Sequence, residues 1–491
     1  MTLAPLLVPA LRWDTEHGFS HLRRTIDDAL SARVGGFLFF GGPREAAAAL
    51  AAELHARSSI PLLLAADAER GAGQQFDGCV ALPPLGALGY LDDPAGMRRA
   101  GQVTARDLRR TGLNWALAPV CDLDAAPGNT IVGTRAAGGD PIRVGAQIAE
   151  WIDGCQSEGV MACAKHFPGH GRADADSHAT LPSVSLDASR LERDDLLPFR
   201  DALDAGVASV MTAHVAYPAL DPSGAPATLS APILTALLRG AMEFNGLIVS
   251  DALEMHGVRA AGTEREIATR AIAAGCDLLL APSDVSGVAR ALDAAAHRGE
   301  LDEERVRSAL ERRDRWALWA RPGAGREPSL GDEMWSRQTA DATVHLVRGS
   351  IPRVGDAVEI VLVDDDSGGP WPLPSRAFFA EALGALEVEA NVIDASSTAT
   401  RVPVLIAVFA DPVAGRIEPG LSRASRDRIQ GATAVAHEHN RESLVVLFSH
   451  PRHAAQLPGA PNVLCAWGGD KPMQAAAARV IARNSSSGGR R

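Results

Sequence analysis

Residues 160–178 read VMACAKHFPGHGRADADSH, an apolar run of strand length that ends at a lysine and continues into a segment rich in histidine and aspartate. Similar apolar runs recur through the first 285 residues, and stretches with helical spacing, such as 92–111 and 263–275, separate most of them. Eight such runs are present, at residues 5–9, 36–40, 62–66, 115–120, 161–165, 208–213, 246–250 and 277–281. Eight strands that alternate with helices and are apolar on both faces are typical of a parallel barrel. The sequence therefore predicts an α/β fold whose residues 1–320 form a (β/α)8 TIM-type barrel.

A second domain is predicted after the barrel. Residues 321–350 contain a Pro/Gly/Arg-rich segment followed by a helical stretch, which indicates an interdomain linker. Strand-like and helical runs then alternate over residues 351–483, which predicts a smaller three-layer α/β domain, and residues 484–491 are predicted to be a disordered tail. The strand-like runs of this domain are residues 358–363, 386–393, 403–409, 443–449 and 462–467. Because neither domain contains a glycine-rich dinucleotide motif or a P-loop, we expect no cofactor.

Composition excludes several classes of partner. The 491 residues carry a formal net charge of −12, so no overall positive charge would attract a nucleic acid. No apolar run reaches the 18 or so residues that span a bilayer, so no membrane partner is expected. The first residues lack the basic segment and cleavage site of a secretory leader, and the six cysteines show no metal-binding spacing. We therefore expect reduced thiols and a cytoplasmic location, and either a monomer or a homodimer.

Polar side chains follow most of the predicted barrel strands. The active site of such a barrel lies at the carboxyl ends of its strands, so these residues are the candidates for chemistry. A single carboxylate in that position is commonly a helix cap, and the argument therefore depends on the whole set. In chain order the set is Asp67 and Glu69 after strand three, Asp122, Asp124 and Arg135 after strand four, Lys165 and His166 after strand five, His214 after strand six and Asp251 after strand seven.

The segment from His166 to His178 is the strongest local signal, because it holds three of the 14 histidines of the chain. Asp176 lies two residues before His178, close enough for its carboxylate to hold one ring nitrogen and to set the proton affinity of the imidazole. Such an imidazole can donate and accept a proton near neutral pH. Only two of the 48 basic residues are lysines, Lys165 and Lys471. The use of lysine at position 165 indicates that a compact, rotatable donor is required there.

These motifs together resemble glycoside hydrolase family 3, and in particular its bacterial β-N-acetylglucosaminidases of cell-wall recycling. The segment KHFPGHG at 165–171 and DSH at 176–178 carry the resemblance. Four other motifs fall in the family's order, namely LPPLGALG at 82–89, LAPVCDLD at 117–124, MTAHVAYPALD at 211–221 and IVSDALEM at 248–255. The second domain resembles the family more weakly, through LVVLFSHP at 444–451. The resemblance implies a carbohydrate substrate and a retaining exo-β-N-acetylglucosaminidase that forms a covalent glycosyl-aspartate.

The resemblance also implies roles for individual residues. Asp251 matches the family's nucleophile, and His178 matches the histidine acid/base with Asp176 as its partner. Residues that hydrogen-bond the sugar in the −1 subsite are matched by Asp67, Arg135, Lys165 and His166, and we add His214 as a substrate-binding candidate from its place after strand six. Independently of the family, a retaining glycosidase needs a carboxylate on one side of the anomeric carbon and a proton donor for the leaving oxygen.

Three departures from the family's pattern leave other functions open. The motif D-Q-E-G-G reads DAERG at 67–71, R-S-F-G reads RAAG at 135–138 and S-D-D reads SDA at 250–252. Arg70, Ala136, Ala137 and Ala252 are among the changed positions. A metal-dependent barrel hydrolase is one alternative, because His166, His170, His214 and Asp251 are ligand types that a divalent site uses. The others are a non-enzymatic sugar-binding protein, a glycoside phosphorylase and another β-glycosidase of family 3.

Overall fold

The computed structural model describes residues 2–173, 181–320, 330–366, 373–394, 401–410 and 420–486. The chain divides into two compact units. The first unit comprises Met1–Ala81, Asp92–Ala125 and Ala136–Asp332, and the second comprises Leu82–Leu91, Ala126–Arg135 and Glu333–Arg491. Two short segments within the barrel part of the sequence therefore belong to the second unit.

The described residues of the first unit contain nine short strands that all pair in parallel. They are β1 (Leu7–Val8), β2 (Ala10–Arg12), β3 (Gly36–Phe40), β4 (Leu63–Ala66), β5 (Trp115–Ala116), β6 (Cys163–Phe167), β7 (Ser209–Thr212), β8 (Leu247–Val249) and β9 (Leu279–Leu280). Pro9 separates β1 from β2, since proline has no N–H to donate to a neighbouring strand. β1 and β2 thus form one interrupted strand, and the nine segments occupy eight strand positions.

Backbone pairing of these strands runs in a closed ring. β2, β3, β4 and β5 are neighbours in one sheet, and β6, β7 and β8 are neighbours in another. A bridge between Trp115 and Met161 links β5 to the start of β6, and a bridge between Val249 and Leu278 links β8 to β9. β9 pairs with β1, which closes the ring. One apolar cluster, from Val8 in β1 to Leu280 in β9, is built from strands around the ring. The predicted parallel barrel is confirmed.

Twelve α-helices lie in residues 2–343 of the described chain. They are α1 (Arg23–Ala32), α2 (Arg44–Arg57), α3 (Leu85–Leu91), α4 (Pro94–Arg110), α5 (Pro141–Ser157), α6 (Ala188–Arg190), α7 (Leu197–Asp204), α8 (His256–Arg259), α9 (Glu264–Ala274), α10 (Val285–His297), α11 (Glu303–Trp319) and α12 (Leu330–Thr343). Local sequence sets where they begin: Asp140 accepts the N–H groups of Ile142 and Arg143 at the start of α5, and Thr263 with Glu266 forms a capping box on α9.

The second unit is a six-stranded sheet with helices on both faces. Its strands are β10 (His345–Arg348), β11 (Ala357–Asp364), β12 (Glu389–Ile393), β13 (Val404–Phe409), β14 (Ser443–Phe448) and β15 (Val463–Cys465), in the order β10-β15-β14-β13-β11-β12. β10 is antiparallel to β15 and the other pairs are parallel. Its remaining helices are α13 (Phe378–Gly384), α14 (Arg423–Glu438) and α15 (Lys471–Ser486).

Alternate residues of the central strands in this unit point to opposite faces. In β11, Ile360 joins a cluster with Phe379 of α13, whereas its neighbour Val361 joins a different cluster with Ile429 of α14. The predicted three-layer α/β architecture is therefore confirmed. Among the helices of the described residues, none combines the length and the apolar composition that crossing a membrane requires.

Two features of the second unit were not anticipated from sequence. Strand β10 lies at the edge of the sheet with Leu346 and Val347 largely exposed, so it has no continuous apolar run that would identify it. Helix α3, in the segment Leu82–Leu91, belongs to this unit because Ala87 forms a buried cluster with Cys465 and Trp467. At the other end of the chain, α15 continues to Ser486, and residues 487–491 lie outside the described residues.

Candidate active site

Lys165 is buried between two carboxylates at the carboxyl ends of β4 and β6. Its Nζ donates to Asp67 Oδ1 at 2.5 Å and lies 2.7 Å from Glu69 Oε1. The side chain of Lys165 is 2% exposed and that of Glu69 8%, whereas that of Asp67 is 33% exposed. A buried ammonium is stable only when paired and hydrogen-bonded, and here both carboxylates pair with it. The outward-facing member, Asp67, is the one that a ligand could reach.

His166 is held by the buried carboxylate of Asp122. His166 Nδ1 lies 2.7 Å from Asp122 Oδ2, and the backbone N–H groups of His166 and His170 donate to Oδ1 at 3.2 and 2.6 Å. Burial alone would raise the pKa of Asp122, but the charge and hydrogen bonds of His166, with those of His170, outweigh it and lower the pKa. Because Nδ1 donates to Asp122, Nε2 is the ring nitrogen that remains for a ligand. The Lys165–His166 peptide bond is cis.

Asp251 follows β8 at the same end of the barrel. Its Oδ1 accepts the N–H of Ala252 at 2.8 Å, and the side chain is partly exposed. Asp67, Lys165 and Asp251 all act electrostatically on one thiol, that of Cys163 in β6. Burial raises the pKa of Cys163 to about 12, and the charges of Asp67 and Asp251 add to that rise while Lys165 opposes it. These three predicted site residues therefore lie at one end of the barrel, where β4, β6 and β8 end.

His214 is fully buried, and both of its ring nitrogens have partners in the protein. Nε2 lies 3.0 Å from the carbonyl oxygen of Ala252, and Nδ1 lies 2.7 Å from Thr228 Oγ1. A carbonyl only accepts, so Nε2 donates to Ala252, while the Thr228 hydroxyl beside Nδ1 also donates to the carbonyl of Ala213 at 3.2 Å. His214 thus holds the residue that follows Asp251. A contact between His214 and a sugar stays a prediction.

Three predicted residues are not placed in this cluster. Arg135 lies in the segment Ala126–Arg135, which belongs to the second unit, and there its guanidinium donates to the carbonyl of Ile131 at 3.4 Å. Asp176 and His178 lie outside the described residues. The acid/base role of His178 and the sugar contact of Arg135 therefore stay predictions.

The described residues before position 174 are anchored by contacts that the sequence did not reveal. Tyr217 donates its hydroxyl to the carbonyl of Gly169 at 2.8 Å. Arg172 Nε donates to both oxygens of Asp195, at 3.0 and 2.9 Å. Burial raises the pKa of Asp195 to about 6, although the charge of Arg172 opposes that rise. Tyr217 and Arg172 lie within motifs quoted above but were given no role, and Asp195 lies in none of them, because the partners of these residues are distant in sequence.

The ligand types required by a metal-dependent hydrolase do not converge in the described part of the chain. Across residues 2–173, 181–320 and the described stretches of the second unit, no group of three or more His, Cys, Asp or Glu side chains has the arrangement of a metal site. Among the candidate ligands, His166 Nδ1 is engaged by Asp122, and His214 uses both ring nitrogens within the barrel.

Known proteins are similar to this chain in both sequence and fold. The model of the glycosyl hydrolase family 3 N-terminal domain matches residues 31–315. A β-hexosaminidase of Chromobacterium violaceum is 41% identical over 239 residues, which cover 47% of this chain and 66% of that protein, or about two thirds of its length. A Cellulomonas fimi protein named β-N-acetylglucosaminidase/β-glucosidase is 28% identical over 479 residues, 89% of this chain and 84% of that protein.

A solved structure covers nearly the whole chain. The glycoside hydrolase family 3 β-N-acetylglucosaminidase from Paenibacillus sp. str. FPU-7 superposes with a TM-score of 0.84 and 26% identity, over 98% of this chain and 96% of that one. The family model spans more than half of the chain, and Lys165, Asp67 and Asp251 lie at the carboxyl ends of the barrel strands. The protein therefore belongs to glycoside hydrolase family 3.

Proposed function

We propose that the protein is a retaining exo-β-N-acetylglucosaminidase that releases terminal, non-reducing β-linked N-acetylglucosamine from cell-wall or chitin fragments. The observation that carries the proposal is that Asp251 and the Asp67–Lys165 pair lie at the same end of the barrel, at the carboxyl ends of β8, β4 and β6. A carboxylate next to hydrogen-bonding groups suited to sugar hydroxyls is the arrangement that glycosyl transfer to an aspartate needs. The choice of sugar is supported by the names of the relatives, which include β-hexosaminidases.

In the proposed mechanism, Asp67 accepts from hydroxyls of the sugar, while Lys165 and Arg135 donate and His166 Nε2 takes a further hydrogen bond. Asp251 attacks the anomeric carbon, and His178, oriented by Asp176, gives a proton to the leaving oxygen. Water then attacks the glycosyl-aspartate while His178 accepts its proton, which releases the sugar with retained configuration. We place the enzyme in the cytoplasm, as a monomer or homodimer, and no step requires a cofactor.

The test compares 4-nitrophenyl β-N-acetylglucosaminide with the corresponding β-glucoside, each with and without phosphate. We expect faster hydrolysis of the N-acetylglucosaminide, the same rate in phosphate, and free N-acetylglucosamine as the product. Formation of a sugar 1-phosphate would identify a phosphorylase, and preference for the glucoside would identify another β-glycosidase. Loss of activity on dialysis against a chelator would instead support the metal-dependent alternative.

A further inference from the structure

Glu69 is a buried carboxylate beside the sugar-binding pair, and no step of the proposed mechanism uses it. Its Oε1 lies 2.7 Å from Lys165 Nζ, nearly as close as Asp67 Oδ1 at 2.5 Å. Glu69 is far less exposed than Asp67. Lys165 therefore has one carboxylate behind it and one at the surface of the site.

The loop after β4 is built to direct both carboxylates at Lys165. Gln75 Nε2 donates to the carbonyl of Asp67 at 3.0 Å, and the N–H of Arg70 donates to Gln74 Oε1 at 2.8 Å. Gly71 has a φ of +75°, a backbone conformation that favours glycine, and it therefore allows the chain to turn directly after Arg70. In an extended segment, residues two apart project to the same side, and Asp67 and Glu69 have this spacing.

The two carboxylates of Asp67 and Glu69 hold the Lys165 ammonium in one position, which a single carboxylate would not do. A lysine side chain is long and flexible, and its ammonium is a rotatable point charge with three donors. Paired with Asp67 alone, Lys165 could turn with that side chain and neutralise it. With Glu69 as a second anchor, the three charges sum to −1, so Asp67 keeps its strength as an acceptor while the ammonium stays in place. Groups fixed before the substrate arrives lose less freedom when it binds.

We propose that Glu69 is a positioning residue that holds the Lys165 ammonium against Asp67, so that both groups meet the hydroxyls of the non-reducing sugar. The inference rests on the proposed function, because that function makes Asp67 and Lys165 the sugar-binding pair. Glu69 acts through Lys165 and does not itself touch the sugar. Its effect should therefore depend on the presence of Lys165.

The experiment is a double-mutant cycle of Glu69→Gln and Lys165→Met, measured by calorimetric titration with free N-acetylglucosamine and with glucose. We expect Glu69→Gln alone to weaken sugar binding by about tenfold, because it removes one of the two charged anchors. In the Lys165→Met background, the same change should alter the Kd by less than about twofold, or tighten binding, because no ammonium remains to be held. An equal loss in both backgrounds would overturn the proposal.

Controls separate this role from a general loss of structure. Glu158→Gln breaks a partly buried ion pair with Arg106, 2.9 Å long, before β6 begins, and should leave the Kd unchanged. The conservative variant Glu69→Asp keeps the charge and should recover part of the affinity. If glucose binds and N-acetylglucosamine does not, the proposed substrate is wrong. The coupling between Glu69 and Lys165 can then still be measured with glucose, so the role of Glu69 is tested separately. A missing coupling with whichever sugar binds would overturn the role of Glu69 alone.

Discussion

At the residue scale, the role of Asp251 can be tested directly. Its Oδ1 is held by the N–H of Ala252 at 2.8 Å, which fixes the carboxylate at the end of β8. Asp251→Asn keeps the size of the side chain but removes the nucleophilic charge, so we expect kcat to fall on the order of 10³-fold or more. In the wild type, a 5-fluoro glycoside should label Asp251, as mass spectrometry of the digested protein would show. A label on another carboxylate would contradict the assignment.

His178 should matter most when the leaving group is poor. A general acid contributes about 10²- to 10⁴-fold to a step that needs protonation, and an activated aryl glycoside needs little. His178→Ala should therefore slow hydrolysis of a disaccharide far more than that of the 4-nitrophenyl glycoside. The ratio of the two kcat/KM values is the measurement. Equal losses on both substrates would argue that the side chain is structural.

His214 offers a different signature, because its ring holds the Ala252 carbonyl at 3.0 Å. His214→Ala should release the turn that carries Asp251 and slow trapping by the 5-fluoro glycoside about 10- to 100-fold, whatever the leaving group. The affinity for free N-acetylglucosamine should not change. Thr228→Val removes the hydroxyl that lies 2.7 Å from Nδ1 and should cause a smaller loss of the same kind. Weaker sugar binding in His214→Ala would favour the direct sugar contact that the sequence suggested.

Sequence reasoning at this scale succeeded where residue type was informative. Lys165 stood out as one of two lysines, and the structure shows it as the buried donor between two carboxylates. Glu69 and Asp122 were marked only as residues that follow strands. Their partners, Lys165 and His166, lie on β6, and which carboxylate meets which cation depends on strand register. The spacing of Asp67 and Glu69 was the one available signal for their shared direction.

At the element scale, the apolar runs located the barrel strands because parallel strands are covered on both faces. The run at 161–165 corresponds to β6, and the run at 208–213 corresponds to β7. The edge strand β10 was not predicted, because a strand at an exposed edge has no continuous apolar run. The segment from His166 to His178 was recognised by its composition, but the contact between its Arg172 and Asp195 depends on a residue 23 positions away.

Asp195 makes a pH-dependent contribution to stability that can be measured. Burial raises its pKa from 3.8 to about 6, with Asp194 and Asp122 adding to the rise and Arg172 opposing it. Between these two values the folded state binds the proton more tightly than the unfolded state, so this group makes stability fall as the pH rises from about 4 to about 6. Asp195→Asn removes the titration. The free energy of unfolding of the variant, relative to wild type, should therefore rise by about 2 kcal/mol between pH 4 and pH 7.

Denaturant unfolding of both proteins at a series of pH values between 4 and 7 is the measurement. The comparison uses the change with pH, so a constant loss from the broken Arg172 contact cancels. A matched variant, Asp153→Asn, removes a carboxylate that is half exposed and pairs with Arg98 at 2.9 Å, and it should show no such trend. A pH-independent difference between Asp195→Asn and wild type would show that folding does not raise the pKa of Asp195.

At the scale of the whole molecule, the order of strand-like and helical stretches was sufficient to predict two α/β architectures, one after the other along the chain. This order did not predict which segments belong to which unit. A single boundary along the sequence assigns Leu82–Leu91 and Ala126–Arg135 to the barrel, whereas both segments belong to the second unit. Helix α3 is apolar and short, and nothing in it distinguishes packing on a barrel from packing on another sheet. Its partners Cys465 and Trp467 lie more than 370 residues further along the chain.

This division predicts that residues 1–332 will not behave as an independent domain. In the second unit, Ala87 is buried with Cys465 and Trp467, Tyr90 stacks on His345 with ring centroids 4.2 Å apart, and Arg452 donates to the carbonyl of Ala126 at 3.4 Å. A fragment that ends at residue 332 keeps α3 and loses all of these partners. Apolar surface buried in the full chain would then face water, at roughly 25 cal/mol for each Å².

We therefore expect the 1–332 fragment to bind a hydrophobic dye, to elute as larger species in gel filtration and to unfold several degrees below the barrel of the full chain. The full-length variant Ala87→Asp places a charge in the cluster with Cys465 and Trp467 and should lower the same thermal midpoint without any truncation. Ala46→Asp, on the partly exposed surface of α2, is the matched control and should leave the midpoint within about a degree. A monomeric fragment with the midpoint of the full chain would show that Leu82–Leu91 is stable without the second unit.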